Sequence, residues 1–431
     1  MNICMFTNTY LPHVGGVARS VSCFAQDLRR LGHQVLVIAP TFPDQPEDED
    51  PALVLRVPAI QNFNGSDFSA SIPAPWLINK RVDEFAPDVI HSHHPYLLGD
   101  AAMRAGRHRD LPVIFTHHTR YEEYAHYVLS SETMQNFVIN LATAYANGCS
   151  RVIAPSDSIA ELIKERGVKV PVEVIPTGVD VQRYQQGDGG RFRQKAGIAG
   201  DVELIGHVGR LAPEKNLDFL ASAVKIHLQQ NPGAKFLVVG DGPGATELKE
   251  SFARDDLSDQ LIMAGKKTGD DLVDAYCAMD IFVFSSHSET QGLVVAEAMA
   301  AGCPVIALDA SGVREVVEDN RNGRLLPAAA STEDFAKALS DYFAAGELAT
   351  RWRQSAQATA GEFDRLKAAQ KLLDLYQRAQ QQQLENAQEH HSFFKGWEHL
   401  LEGVKTEWDM LSSKVGAIAD TFGPDDNDHR Q

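Results

Sequence analysis

Cysteine is scarce. The 431 residues hold five, at Cys4, Cys23, Cys149, Cys277 and Cys303, an odd number with no CxxC or His/Cys spacing, so neither a disulfide framework nor a zinc site is indicated. A reducing, cytoplasmic setting is the matching expectation. Long hydrophobic runs are also missing: none approaches about 18 apolar residues, so no membrane-spanning helix is expected. The N-terminal stretch MNICMFTNTYLPHVGG lacks a basic segment followed by an apolar one and reads as a folded first strand. Positive charge is in deficit, with 40 Lys and Arg against 58 Asp and Glu for a net charge of −18, which argues against a general nucleic-acid binder and leaves room only for a local basic cleft.

What is present is an ordinary globular composition, 44% hydrophobic and 23% charged, in a chain longer than one hydrophobic core usually spans. Two domains are therefore expected. Short apolar runs alternate with helical patterns, beginning with Ile3 to Phe6, a helix from about Gly16 to Leu31, and Gln34 to Ala39. That order is βαβ and predicts a parallel sheet. Leu53 to Val57, Val89 to His91, Val113 to Thr116, Val152 to Ala154 and Val172 to Ile175 continue it. The stretches Thr41 to Asp50 and Asn62 to Pro75 read as loops, and the polar, glycine-rich QQGDGGR read as an interdomain linker. A second alternation follows, with strands at Leu204 to Val208, Lys235 to Val239, Gln260 to Met263, Ile281 to Phe284 and Pro304 to Ala307. Between the first two, Leu217, Leu220, Ala221, Val224 and Leu228 share one helical face. The fold class is α/β: two Rossmann-like domains facing across a cleft, plus a C-terminal helical extension. The boundaries are 1–180, 181–361, a crossover helix over 362–383 and an amphipathic tail over 384–431.

Three segments carry chemistry. Gly15 and Gly16 sit between the first strand and the first helix, where backbone N–H groups and a helix N-terminus favour a phosphate. Arg210 and Lys215 leave a turn just after a strand, five residues apart, so both cations could reach one diphosphate. In Ser288-Glu289-Thr290-Gln291-Gly292-Leu293, continuing to Glu297, seven residues separate the glutamates, and Gly292 marks the turn that opens a helix. The amides of Gly292 and Leu293 would face a phosphate while the carboxylates accept hydroxyl hydrogen bonds on either side. A sugar joined to a nucleotide has that layout.

The Gly-Gly turn, the GRLxxxK segment, Gly240-Asp241-Gly242-Pro243-Gly244 and the glutamate pair, in this order over residues 1 to about 380, resemble the retaining glycosyltransferases of family four, which have the GT-B fold. The resemblance implies that Glu289 holds the donor sugar's hydroxyls and Glu297 the ribose. It implies that Arg210 and Lys215 neutralise the diphosphate leaving group, that the Gly15-Gly16 turn contacts the phosphates, and that His118 bonds the donor sugar near the reacting centre. His117 beside it leaves open which ring points inward. The resemblance further implies front-face substitution. No Asp-x-Asp lies between the domains, in keeping with a metal-independent enzyme without a cofactor, whose donor is a nucleotide-diphosphate sugar, UDP-sugar favoured. Gly-Asp-Gly-Pro-Gly lacks the spacing of a dinucleotide fingerprint, so NAD binding is set aside.

Thr290-Gln291-Gly292 and the stretch His118-Thr119-Arg120-Tyr121-Glu122-Glu123-Tyr124 resemble the branch that glucosylates diacylglycerol, which makes a glycolipid acceptor and peripheral contact with the inner face of the cytoplasmic membrane expectations. A soluble or polysaccharide acceptor is the alternative, as are a GT-B epimerase and an idle sugar-nucleotide binding protein. Apolar residues recur every three or four positions from Phe393 to Val415, while residues 381–431 carry ten acids against four bases. That charge favours packing on the enzyme body or pairing into a homo-oligomer over membrane insertion.

Overall fold

The structure is a computed structural model, and it describes all residues except 14, 44, 46–48, 62–68, 73, 121–131, 288 and 386–431. Tyr121 to Tyr124, Ser288 and the helix expected over 393–415 lie outside the described residues.

Apolar runs with no alternation belong in sheets covered on both faces, and that is where they lie. In β1 (Asn2–Phe6), Ile3 to Phe6 are fully buried. With β2 (Gln34–Pro40), β3 (Val54–Val57), β6 (Val89–Ser92), β7 (Val113–Thr116), β8 (Arg151–Ala154) and β9 (Val172–Val174), the first half builds a seven-stranded parallel sheet, while β4 (Ala59–Ile60) and β5 (Ala70–Ser71) form a separate antiparallel pair. The order of the parallel sheet is β3-β2-β1-β6-β7-β8-β9. The second half builds a six-stranded parallel sheet from β10 (Leu204–Val208), β11 (Lys235–Val239), β12 (Leu261–Gly265), β13 (Ile281–Phe284), β14 (Val305–Leu308) and β15 (Gly323–Leu326), in the order β12-β11-β10-β13-β14-β15. Helices cover the sheets: Gly16–Arg30 buries Ala18, Val21, Phe24, Ala25 and Leu28 at helical spacing, and Leu217–Gln230 buries the face expected of it.

In both sheets the strand order reverses, at β1/β6 and at β10/β13. A doubly wound sheet opens a crevice at the carboxyl ends of the strands flanking such a point. Gly292, Leu293 and Glu297 begin or sit on the helix Leu293–Ala300 that follows β13, Gly16 opens the helix Gly16–Arg30 that follows β1, and every other candidate residue lies in a connection leaving one of these sheets.

The structure corrects three local expectations. QQGDGGR is no linker: Val181–Gln185 and Gly189–Lys195 are helical and pack on the second half. Its glycines serve close packing, because a Cβ at Gly187 would lie 2.5 Å from Cys277 Sγ and one at Gly189 would lie 2.2 Å from the Cys277 carbonyl oxygen. The chain instead crosses beside Gly178 and Val179, where Val179 N–H donates to the Phe363 carbonyl at 2.7 Å and Arg365 N–H donates to the Val179 carbonyl at 3.1 Å. Within the stretch read as a loop, Ala70–Ser71 pairs with Ala59–Ile60, and β15 is an additional strand. Past the second crossing, the helix Arg365–Glu385 buries Ala368, Leu372, Leu375 and Tyr376 in the core of the first sheet, with Ile3, Val21 and Ile114.

Candidate active site

The loop after β10 carries both candidate cations. It is stacked backbone to backbone on the turn after β11: Gly209 N–H donates to the Val239 carbonyl at 3.0 Å and Leu211 N–H to the Asp241 carbonyl at 3.0 Å. Side chains are excluded there, since a Cβ at Gly240 would lie 1.9 Å from the Gly209 carbonyl oxygen, and Gly240 has a φ of +143°. Gly-Asp-Gly-Pro-Gly is thus a brace for the loop that presents Arg210. Arg210 is exposed and makes no ion pair with a described residue. Lys215 closes the short 3-10 turn Pro213–Lys215, pinned from the end of β13 by the Ser285 hydroxyl, which donates to the Lys215 and Asn216 carbonyls at 3.1 and 3.0 Å.

Lys215 Nζ donates to Glu289 Oε1 at 2.5 Å, with both side chains largely withdrawn from solvent. Sequence spacing assigned these groups to different parts of a donor, and the fold makes them neighbours. Beneath them His207 is fully buried between Phe282 and Phe284, with Nδ1 on the Val283 carbonyl at 3.1 Å. Burial pushes it down to about 4, so it stays neutral beside the Lys215–Glu289 pair.

Gly292 is the N-cap of the helix Leu293–Ala300 and is left-handed at a φ of +69°, with room for no side chain: a Cβ would lie 2.5 Å from the Gly312 carbonyl oxygen. Glu297 follows on the buried side of this helix and is 1% exposed. Its Oε2 accepts from Tyr276 Oη at 2.9 Å, and its Oε1 meets the Arg19 guanidinium, which reaches across from the first helix of the other half. The carboxylate holds the Arg19 proton more firmly than usual, while burial and then the same carboxylate push Tyr276 up. Glu297, expected to take up a ribose, is therefore already engaged at both oxygens in this conformation. At the start of that first helix Gly15 is the extended N-cap, and the space beside Gly16 is open, with nothing within 4 Å of where a Cβ would stand.

The loop bearing Glu289 is tied to the first half at three points. Thr290 Oγ1 donates to the His118 carbonyl at 3.0 Å, and the Ser156 hydroxyl donates to the Thr290 carbonyl at 2.7 Å. The Gln291 amide forms a two-way pair with the Thr177 backbone, accepting from its N–H at 2.8 Å and donating to its carbonyl at 2.6 Å. His118 thus lies against the glutamate loop, while His117 is 3% exposed on the inner side. Arg19, Tyr276, Thr177 and Ser156 were missed by sequence reasoning. Only Arg19 left a signal, as a cation one turn after the glycine pair.

Two doubly wound halves, with cations, carboxylates and a glycine-capped helix gathered at their switch points, define the class: a GT-B hexosyltransferase. The family models agree, Glycosyltransferase Family 4 matching residues 14–183 and Glycosyl transferases group 1 matching residues 189–359. An alpha-monoglucosyldiacylglycerol synthase of Streptococcus pneumoniae is 30% identical over 75% of this chain and 75% of its own length. A GDP-mannose-dependent alpha-mannosyltransferase of Mycobacterium tuberculosis is 31% identical over 76% of this chain and 84% of its own. Among solved structures, HepE of Anabaena in complex with UDP superposes with a TM-score of 0.71 at 23% identity, covering 88% of this chain and 100% of that one. The chain belongs to glycosyltransferase family 4.

Proposed function

We propose that the chain moves glucose from UDP-glucose to a lipid hydroxyl of the diacylglycerol type, with retention at the anomeric carbon and without a metal ion. The observation that carries this reading is the contact of Lys215 with Glu289 in a loop hydrogen-bonded to His118. A cation suited to a phosphate stands beside a carboxylate suited to sugar hydroxyls, in a loop that meets the backbone of His118 from the opposite half, and this supports the reading.

In the proposed reaction the bond from the anomeric carbon to the diphosphate oxygen breaks and a bond to the acceptor oxygen forms on the same face. The acceptor's proton passes to the departing phosphate. Negative charge grows on the diphosphate, so fixed positive groups there lower the barrier most. Arg210, Lys215 and the amides of Gly292 and Leu293 supply them, in place of a divalent cation. Glu289 orients the sugar, and Glu297 takes the ribose once the Arg19 guanidinium stops donating to one of its carboxylate oxygens.

Support for the lipid acceptor comes from relatives named as glucosyldiacylglycerol synthases in Streptococcus pneumoniae and Acholeplasma laidlawii. The GDP-mannose-dependent relatives favour a second reading with mannose as the sugar. No helix among the described residues is long and apolar enough to cross a membrane, so a lipid acceptor would be met at the bilayer surface. The test is a panel of UDP-glucose, UDP-galactose and GDP-mannose, each with diacylglycerol vesicles, soluble sugars or no acceptor. UDP release that rises only with UDP-glucose and diacylglycerol is expected. Release that rises only with GDP-mannose would install the second reading, and donor binding without release under any condition would mean an idle module.

A further inference from the structure

Behind His118 stands a second histidine. His93, just past β6, is fully buried, and its backbone N–H donates to the Phe6 carbonyl at 2.9 Å. Its Nδ1 lies 2.9 Å from His118 Nε2, with the rings stacked at 5.2 Å between centroids. On its other side the His91 ring lies at 4.1 Å between centroids, tilted by 36°, and is itself held at both nitrogens, by Tyr376 Oη at 2.6 Å and Thr116 Oγ1 at 2.7 Å. His93 Nε2 is buried without a hydrogen-bond partner among the described residues.

A neutral imidazole has one N–H and one bare nitrogen, so only one proton lies between His93 and His118, and there are two ways to place it. If His118 donates, His93 must carry its own proton on Nε2, leaving a buried N–H with no acceptor. If His93 donates, its Nε2 is a bare lone pair. Orphaned buried N–H groups are the rarer and costlier of the two. The second arrangement leaves His118 with its proton on Nδ1, which makes no hydrogen bond to a described residue.

We propose that His93 is a positioning residue: by donating from Nδ1 to His118 Nε2 it fixes His118 as the tautomer with its proton on Nδ1, a neutral hydrogen-bond donor for a hydroxyl of the donor sugar. The tautomer follows from the His93–His118 contact and the cost of orphaning a buried N–H, without reference to function. Its use rests on the reading of His118 as a sugar contact given above. A fixed N–H donates only to a sugar oxygen presented as an acceptor, which sets the orientation of that hydroxyl. A neutral donor also suits the chemistry, because an imidazolium there would repel the positive charge that grows on the anomeric carbon. The surroundings keep both rings uncharged: burial first, then the neighbouring histidines, push His93 and His118 well below the ordinary histidine range. The titratable groups around them are His91, His94, His117 and Tyr376.

Nitrogen NMR of the full chain labelled with 15N-histidine, with His118→Gln for assignment, reads the tautomer directly. A protonated Nδ1 and bare Nε2 at His118 is expected, and a protonated Nε2 or a fast mixture overturns the proposal. In turnover, followed as UDP release from UDP-glucose and GDP release from GDP-mannose, His93→Phe should lower kcat roughly tenfold, the worth of one hydrogen bond, with donor KM changed less. His93→Gln, whose amide can donate to the same nitrogen, should recover most of it. If His118→Gln is impaired while His93→Phe matches wild type, the positioning role is wrong. If His118→Gln itself matches wild type, the sugar contact fails and takes the functional half of the proposal with it, while the tautomer measurement still stands or falls alone.

Discussion

At the scale of single residues, two ion pairs differ in what they stabilise. Lys215 and Glu289 are each part-accessible at 20% and 16% of their side chains, so water can replace either partner. Lys215→Ala should leave the unfolding midpoint nearly in place, at about 1 kcal/mol or less. Its effect should fall on transfer, by about 100-fold or more, because the charge growing on the leaving group loses a fixed cation. Steady-state rates beside a urea titration check both halves, and near wild-type turnover would remove Lys215 from the site. Arg19 and Glu297 behave in the opposite way. The carboxylate is 1% exposed and the arginine 40%, so Arg19→Ala strands a buried charge on the Tyr276 hydroxyl alone. Breaking a wholly buried pair costs about 3–5 kcal/mol, and the open side of Arg19 reduces that to about 1–3. The double variant with Glu297→Gln should recover part of the loss, and strict additivity in that cycle would show that the pair is uncoupled.

At the scale of elements, the segment 289–292 joins catalysis to domain contact. Gly292 needs its left-handed backbone to open the helix Leu293–Ala300, and Gln291 next to it grips the Thr177 backbone in the segment that follows β9. Gly292→Ala adds a Cβ within 2.5 Å of the Gly312 carbonyl oxygen at a positive φ. The strain of that backbone alone is about 1–2 kcal/mol, and the clash must also turn the helix end away from the donor. The variant should therefore lose both stability and donor affinity, read by calorimetry with UDP; unchanged UDP affinity would detach this helix end from the phosphate. Elements like this were legible because their signals are local: an apolar run, a glycine at a helix start, a face repeating every three or four residues. QQGDGGR was misread because glycine marks both flexible chain and chain too crowded for a side chain, and only the positions of Cys277 and Val273 decide between them. The partners of Glu297 and His118 were illegible for another reason. Arg19 reaches Glu297 from the other half, Tyr276 reaches it from the neighbouring helix Gly269–Ala278, and His93 reaches His118 from the strand beside it, contacts that no spacing along one sequence encodes.

At the scale of the whole molecule, the −18 charge and the buried histidines set how the protein meets acid. His91 and His94 are in the first half and His207 in the second, and burial pushes the first two down to about 3 and the third to about 4. In the unfolded chain each would take up a proton near pH 6.5. Their folded values are depressed, so their contribution to stability is complete above about pH 6.5 and drains as pH falls toward the folded values. Each histidine costs about 1.4 kcal/mol per pH unit across that window. Three together give roughly 4 kcal/mol per unit below pH 6, a slope that exhausts the 5–15 kcal/mol of a typical fold within a few units. His93 and His118 steepen it further, since they too are held well below the ordinary range. Urea midpoints taken from pH 8 to pH 4.5 should be flat above about pH 7 and fall steeply below 6. Replacing His91 with Asn, which cannot take up a proton in the unfolded chain, should flatten the slope by one proton's worth even if it lowers the plateau. A midpoint that stays level from pH 7 to pH 5 would mean that the folded protein protonates these histidines, and hence that the strand ends around His118 open to water far more readily than their packing implies.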